Sequence, residues 1–329
     1  MIKASVYKNG AVLLGKNVVC DAHAPRPLRV VTHGHWDHYL GFEESLEECR
    51  HILMTPFTRE MMGILKGTNW ISSPKCLSLE YGVPFGLENE TITLYPSGHI
   101  VGAAQVLVKT QEGEKLLYTG DFKFPQAKII PSDILVMEAT YGNPAHVRNF
   151  KTRIEDELIS LTRNCLKEGP VYVLGYYGKL QEALFIYSKV DLGVPFILQG
   201  KVGRMTKLCQ KYGLKLGTYL SASHPEAQKL IQGKERFVGL YHMMAERGLD
   251  KDVARISLSG WEFEKTVRKL NSNMYLVALS DHADFEELLA YVRETRPKLV
   301  ITDNYRVGDA PALAREISAR IGIPAEPMP

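Results

Sequence analysis

The chain has 329 residues, 45% of them hydrophobic and 23% charged, with a net charge of only +3. That is enough for two domains of ordinary size, the composition is that of an average soluble protein, and no run of eighteen apolar residues is present to span a membrane. The start, MIKASVYKNGAVLLGKN, lacks the apolar stretch of a signal peptide.

The five cysteines (Cys20, Cys49, Cys76, Cys165, Cys209) are scattered and form no CxxC pair. This speaks against a disulfide framework or a cysteine zinc site, and for a reduced, cytoplasmic protein. Charge is unevenly spread. Residues 1–140 carry 13 Lys+Arg against 15 Asp+Glu, residues 141–270 carry 21 against 13, and residues 271–329 carry 6 against 9. A basic middle flanked by acidic ends suits a polyanionic partner held over an acidic site.

In chain order, the first 140 residues read mainly as strands and turns. AVLLG, NVVCDA, LRVVTH, ITLYPSGH, AAQVLVKT, KLLYTGDF and DILVMEAT are short β-branched or apolar runs. QEGEK reads as a hairpin turn, and FTREMMGILKG as a helix closed by Gly67. From about residue 150 helices and strands alternate. TRIEDELISLTRNCLKEG is an amphipathic helix, PVYVLGY a buried strand, KLQEALFIYSKV a helix and VPFILQG a strand. That pattern suggests a parallel sheet with crossover helices. MYLVALSDH, DFEELLAYVRET, KLVITDN and APALAREISARIG close the chain as strand, helix, strand, helix. The charge steps near 141 and 271 are the candidate domain boundaries.

The densest chemistry lies in VVTHGHWDHYLGF, which packs His33, His35, Asp37 and His38 into six positions of a chain with ten histidines. LRVVT is a strand, so the cluster occupies the loop at its carboxyl end. Imidazoles and a carboxylate crowded in this way are poor core material, and they match the nitrogen and oxygen ligands of zinc. His99 in YPSGHIVGAAQV and Asp121 in LLYTGDF also follow strands. Together with the first cluster they complete a metal-binding set.

Asp21, the His33-x-His35-x-Asp37-His38 cluster, His99 and Asp121 resemble the motifs of the metallo-β-lactamase fold superfamily. The resemblance implies an α/β chain built as an αββα sandwich holding two zinc ions at one edge. By it, His33, His35 and His99 bind the first ion, Asp37 and His38 the second, Asp121 bridges, and Asp21 orients the loop by hydrogen bonding. MEATYGNP with Glu138 and LSDHADFEEL with His282 are similar to two further motifs of the β-CASP nuclease branch. Within that branch the likeness is greatest to DNA-ligase-associated exonucleases and Artemis-type nucleases.

The domains implied are a first metallo-β-lactamase part at 1–142, an inserted α/β β-CASP cap at 143–270, and a last metallo-β-lactamase part at 271–329. RNA-processing members carry a third-motif histidine after the last strand, where this chain has Thr302, Asp303 and Asn304. Asp303 is the oxygen ligand expected in its place, with the second ion held more weakly and Mn2+ able to substitute.

The implied reaction is zinc-dependent hydrolysis of phosphodiester bonds, with Asp37, Glu138 and His282 catalytic. His282 supplies the leaving group's proton and Glu138 orients it. DNA, attacked as by a 5′-exonuclease, is slightly preferred. An RNA-processing nuclease of the same fold and an inactive nucleic-acid-binding subunit are the alternatives, and an association with repair or processing machinery fits each. A small-molecule hydrolase of the same fold would not need the basic insert. Lys201, Arg204, Lys207, Lys211 and Lys215 recur at helical spacing, so Arg204 and Lys207 are expected to contact phosphates. Lys179, after the turn GYYGK, is a further phosphate candidate.

Overall fold

The computed structural model describes residues 3–329, as a mixed α/β chain with three sheets. It divides into two compact units, one formed by residues up to Val147 together with His282–Pro329, the other by Arg148–Asp281.

The first unit holds two sheets. One has six strands in chain order: Ala4–Val6, Ala11–Leu14, Val18–Asp21, Leu28–Val30, His51–Met54 and Cys76–Ser78. From Val18–Asp21 onward its strands are parallel. The other has seven, in the order Ala325–Met328, Leu299–Asp303, Ile134–Met137, Lys115–Tyr118, Ala104–Lys109, Glu90–Pro96 and Pro84–Leu87. The turn within QEGEK joins Ala104–Lys109 to Lys115–Tyr118 as an antiparallel pair.

Alternation along the strands gives each sheet an apolar inner face. Val12, Leu14, Val18 and Leu28 of the first pack with Leu94, Val106, Leu116 and Val136 of the second in one shared core. On the outer face of the first sheet, Phe42 and Met62, from the helices Phe42–Glu48 and Pro56–Lys66, cover Val31, Ile52 and Met54. On that of the second, Phe285, Leu288 and Val292 from the helix Phe285–Thr295, with Leu313 and Ile317 from Ala310–Ile321, cover Leu117, Leu135 and Val300. Helices thus pack against both sheets of this unit.

The second unit is built on one seven-stranded sheet, ordered Leu220–Ser221, Phe196–Leu198, Val238–His242, Val171–Gly175, Ala254–Leu258, Met274–Val277, Val267–Lys269. All neighbours are parallel except the last pair. The strand Met274–Val277 lies beyond the charge step at 271, yet it pairs with Ala254–Leu258 in this sheet. Surface charge changes there without a change of unit, because backbone pairing and not side-chain sign decides which sheet a strand joins. All five cysteines are free and buried. Among the described residues no helix is long and apolar enough to cross a membrane.

Candidate metal centre

Parallel strands deliver the polar residues to one kind of place, the loops at their carboxyl ends, where backbone pairing stops. Val18–Asp21 ends on Asp21, Leu28–Val30 leads into His33, Ile134–Met137 into Glu138, and Leu299–Asp303 ends on Asp303. Two glycines make the close approaches possible. Gly120, before Asp121, has φ +54°, and a Cβ there would sit 3.0 Å from the Ala104 carbonyl and 3.2 Å from the Thr32 Cβ. Gly98, before His99, has φ +76°, and a Cβ would meet the Gln126 Cβ at 2.6 Å.

His33, His35, His99 and Asp121 each aim one donor atom into a common space, all within 4.8 Å of one another. His33 Nε2 lies 3.0 Å from His35 Nδ1, and His99 Nε2 lies 3.1 Å from the same atom. Asp121 Oδ2 stands 3.7 Å from His33 Nε2 and 3.8 Å from His99 Nε2. Tetrahedral zinc with bonds of about 2.0–2.1 Å sets its ligand atoms roughly 3.4 Å apart. The four donors bracket that spacing, so the residues fit a zinc-sized ion. Burial, with the neighbouring imidazoles adding, drives the pKa of His33 well below its ordinary value. This keeps it neutral, as a ligand must be.

A second set adjoins. His38 Nε2 is 3.3 Å from Asp121 Oδ2 and 3.4 Å from Asp37 Oδ2. It is buried and has no hydrogen-bond partner. Its other nitrogen, Nδ1, donates to Asp21 Oδ2 at 2.6 Å. Asp21 also accepts from the Thr32 amide and hydroxyl through Oδ1, and from the Tyr118 hydroxyl through Oδ2. It does so from a left-handed backbone (φ 64°), a strain of the sort found at functional positions. Burial opposes the charge on Asp21, but His38 and Arg306 outweigh it and hold its pKa below the usual value. His38 moves the other way: burial opposes its charge, and Asp121, Asp21 and Asp37 raise its pKa well above normal. The pocket carries more carboxylate than its fixed cations offset.

Asp121 is also grouped with Glu138 and His282. Glu138 is 2% exposed; its Oε1 accepts from the Phe122 amide at 2.6 Å and its Oε2 lies 2.8 Å from His282 Nδ1. Burial raises the pKa of Glu138 even against His282. The His282 ring stands 4.6 Å from that of His99. Backbone contacts lock this end: the Ala283 amide donates to the Phe122 carbonyl, and Asp284 caps the helix Phe285–Thr295 in a capping box with Glu287.

Two expected residues are used differently. Asp303 is in none of the candidate metal groups among the described residues. Its Oδ1 accepts from the Tyr305 and Arg306 amides, and its Oδ2 pairs with the Arg306 guanidinium. Its lone pairs hold the loop together, the capping role common for Asp in turns. Lys179, expected on phosphate, is buried, and its ammonium pairs with Asp281 at 2.7 Å. Arg204 and Lys207 are exposed on the helix Gly200–Lys211. Sequence reading missed Thr32, Tyr118 and Arg306, which all meet Asp21.

No family model matches the chain. A protein of Acidianus ambivalens, described as an uncharacterized protein in the lig 3′ region, is 41% identical over 140 residues, 42% of this chain and 100% of its own. A probable DNA ligase of Opitutus terrae is 26% identical over 298 residues, 86% of this chain and 27% of the ligase. The transcription termination factor FttA of Pyrococcus horikoshii is 25% identical over 387 aligned positions, 89% of this chain and 59% of that one. The probable RNase MJ4 of Methanocaldococcus jannaschii is 30% identical over 131 residues, 36% of this chain and 30% of the RNase. The chain thus spans all of the first relative, but less than two thirds of the length of the other three.

Proposed function

The chain belongs to the β-CASP branch of the metallo-β-lactamase superfamily, a branch of metal-dependent nucleases, and from that premise we propose that it hydrolyses phosphodiester bonds in nucleic acid. The observation that carries the reading is the convergence of His33, His35, His99 and Asp121 on one space, with the Glu138–His282 pair beside it. In this reading the first unit is the metallo-β-lactamase sandwich and the second is the β-CASP cap. Zinc would be held by His33, His35, His99 and Asp121, and a second ion by Asp37, His38 and Asp121, with Mn2+ able to substitute. Such an ion supplies a Lewis acid that acidifies water and offsets charge on phosphoryl oxygens.

The chain's own groups do the rest. Asp21 holds the Nδ1–H of His38, so that Nε2 is the nitrogen turned toward Asp37 and Asp121 and the one that would give up its proton to hold an ion there. Glu138 holds the Nδ1–H of His282. That leaves Nε2 of a partly exposed ring to give its proton to the departing oxygen. The alternative of an inactive binding subunit has against it the closeness of the whole donor set. Work in the cytoplasm belongs to the same reading, supported by five free cysteines.

The relatives' names bear on the polymer. An RNase and a transcription termination factor stand on the RNA side, so the sequence-based preference for DNA finds no support there, and RNA is the first substrate. DNA is the second reading, because the match to the probable DNA ligase runs along most of this chain. The test is cleavage of matched, end-labelled single-stranded RNA and DNA with zinc or manganese. Cleavage should disappear with a chelator and in the Asp37→Ala, His38→Ala double variant. The labelled end also reports whether attack is 5′-exonucleolytic. A zinc-loaded protein that cuts neither polymer would overturn the reading.

A further inference from the structure

The carboxyl edge of the second unit's sheet has features that the metal chemistry does not use. Three neighbouring parallel strands end there, in the order Phe196–Leu198, Val238–His242, Val171–Gly175. His242 closes the central strand, in register with Gly175. Tyr176 and Tyr177 follow Gly175 at once, and both rings meet His242. The centroids are 5.4 Å apart at 81° for Tyr176, and 4.6 Å apart at 35° for Tyr177. Tyr176 is 50% exposed, although a ring of that size is an expensive thing to leave in water.

On the other flank of His242, the chain leaves Leu198 and enters the helix Gly200–Lys211. That helix buries Val202, Met205 and Leu208 and turns Arg204 and Lys207 to solvent. Arg204 and Lys207 are three residues apart on one face, about 5–6 Å between Cβ atoms. Arg204 lies near enough to Tyr177 to act on its hydroxyl: burial raises that pKa and the guanidinium opposes the rise. No Asp or Glu occurs between Asp191 and Glu226, so the whole segment is cationic.

An open aromatic ring beside a cationic helix face is the combination that holds single strands. Rings accept any base by stacking, and cations follow the backbone without reading sequence. We propose that this edge is a binding platform for single-stranded nucleic acid, with a base stacked on Tyr176 and the adjoining phosphates on Arg204 and Lys207. The proposal rests on the nuclease reading, since it names how that substrate is held. It also gives the Gly-containing turn GYYGK a purpose other than holding phosphate through Lys179.

The test uses the zinc-loaded, full-length protein and fluorescein-labelled phosphorothioate strands, which resist cleavage. One strand carries bases and one of equal length is abasic; binding is read by anisotropy over a range of salt. Tyr176→Ala should weaken the base-bearing strand about five- to tenfold or more and leave the abasic strand unchanged. Tyr176→Phe keeps the ring and should bind as the wild type does. Arg204→Glu with Lys207→Glu should weaken both strands and lower the salt slope by about 1.4, from ~0.7 per phosphate contact. Alanine at Tyr176 affecting both strands alike, or an unchanged salt slope, overturns the platform. If the variants bind as wild type while the wild type still cleaves, the platform falls and the nuclease reading stands. A wild type that neither binds nor cleaves overturns both.

Discussion

Asp21 Oδ2 and His38 Nδ1 stand 2.6 Å apart where neither residue is reached by solvent. A carboxylate in that position has no water to satisfy it. Its charge is held by His38 and by Arg306, whose Nη2 is 3.5 Å away, and its other lone pairs by Thr32 and Tyr118. The contact engages Nδ1 of His38 and leaves Nε2 as the nitrogen that faces Asp37 and Asp121.

Asp21→Asn keeps the shape and the tolerance for a left-handed backbone, but removes the charge. Zinc affinity should fall about 10- to 100-fold, as for other outer partners of metal-binding histidines. Stability should fall by roughly 3 kcal/mol or more, since Arg306 loses a buried counter-charge. Chelator competition and denaturant unfolding measure the two effects, and an unaltered zinc affinity would show that Asp21 has no part in the site.

Asp303→Asn and Arg306→Met separate a metal ligand from a structural pair. Asp303 spends its oxygens on Arg306 and the loop amides. The first variant should keep its full zinc content while unfolding more readily. The second strands two buried carboxylates and should cost about 3–5 kcal/mol. Loss of one zinc equivalent in Asp303→Asn, read by atomic absorption, would return Asp303 to the ligand set.

Glu138→Gln and His282→Ala act on proton delivery and not on the four donors. Each should slow cleavage by about 10²–10⁴-fold with zinc content retained. Because the two side chains form one unit, the double variant should be hardly slower than either single one. Multiplicative losses would mean that they serve separate steps.

Gly120→Ala changes no polar group. Its added methyl must take a left-handed backbone, about 1–2 kcal/mol for a non-glycine residue, and must press on the Ala104 carbonyl and Thr32. Asp121 is the next residue, so cleavage should fall far more than the melting temperature. Thermal melting beside a cleavage rate decides it; full activity at a lowered Tm would show that the loop absorbs the strain.

Much of the site was legible because its residues come in short, polar interruptions of apolar runs. HGHWDH, SGH, TGD and MEAT each break a β-branched stretch, and strands end where such breaks begin. The partners of Asp21 were not legible. Tyr118 is 97 residues away, and nothing local marks a strand-ending phenol as aimed at a carboxylate. Arg306 looked like an ordinary loop arginine, and only folding shows it buried between Asp303 and Asp21.

Lys179 misled for the opposite reason. Its glycine turn is a phosphate-loop cue, but the acid that neutralises it, Asp281, lies a hundred residues on. The helices Phe42–Glu48 and Pro225–Gln232 are short, and few of their side chains are buried.

The first unit is interrupted after Val147 and resumes at His282. All the donors of the first set, from His33 to Asp121, precede the interruption, as does Glu138; the imidazole that Glu138 holds comes after it. On the ribosome, the clustered donors are therefore made well before the imidazole that Glu138 holds. The strand Leu299–Asp303, which pairs beside Ile134–Met137, is later still. A growing chain therefore holds His33, His35, His99, Asp121 and Glu138 long before it gains His282 and the strand that completes the pairing beside Ile134–Met137.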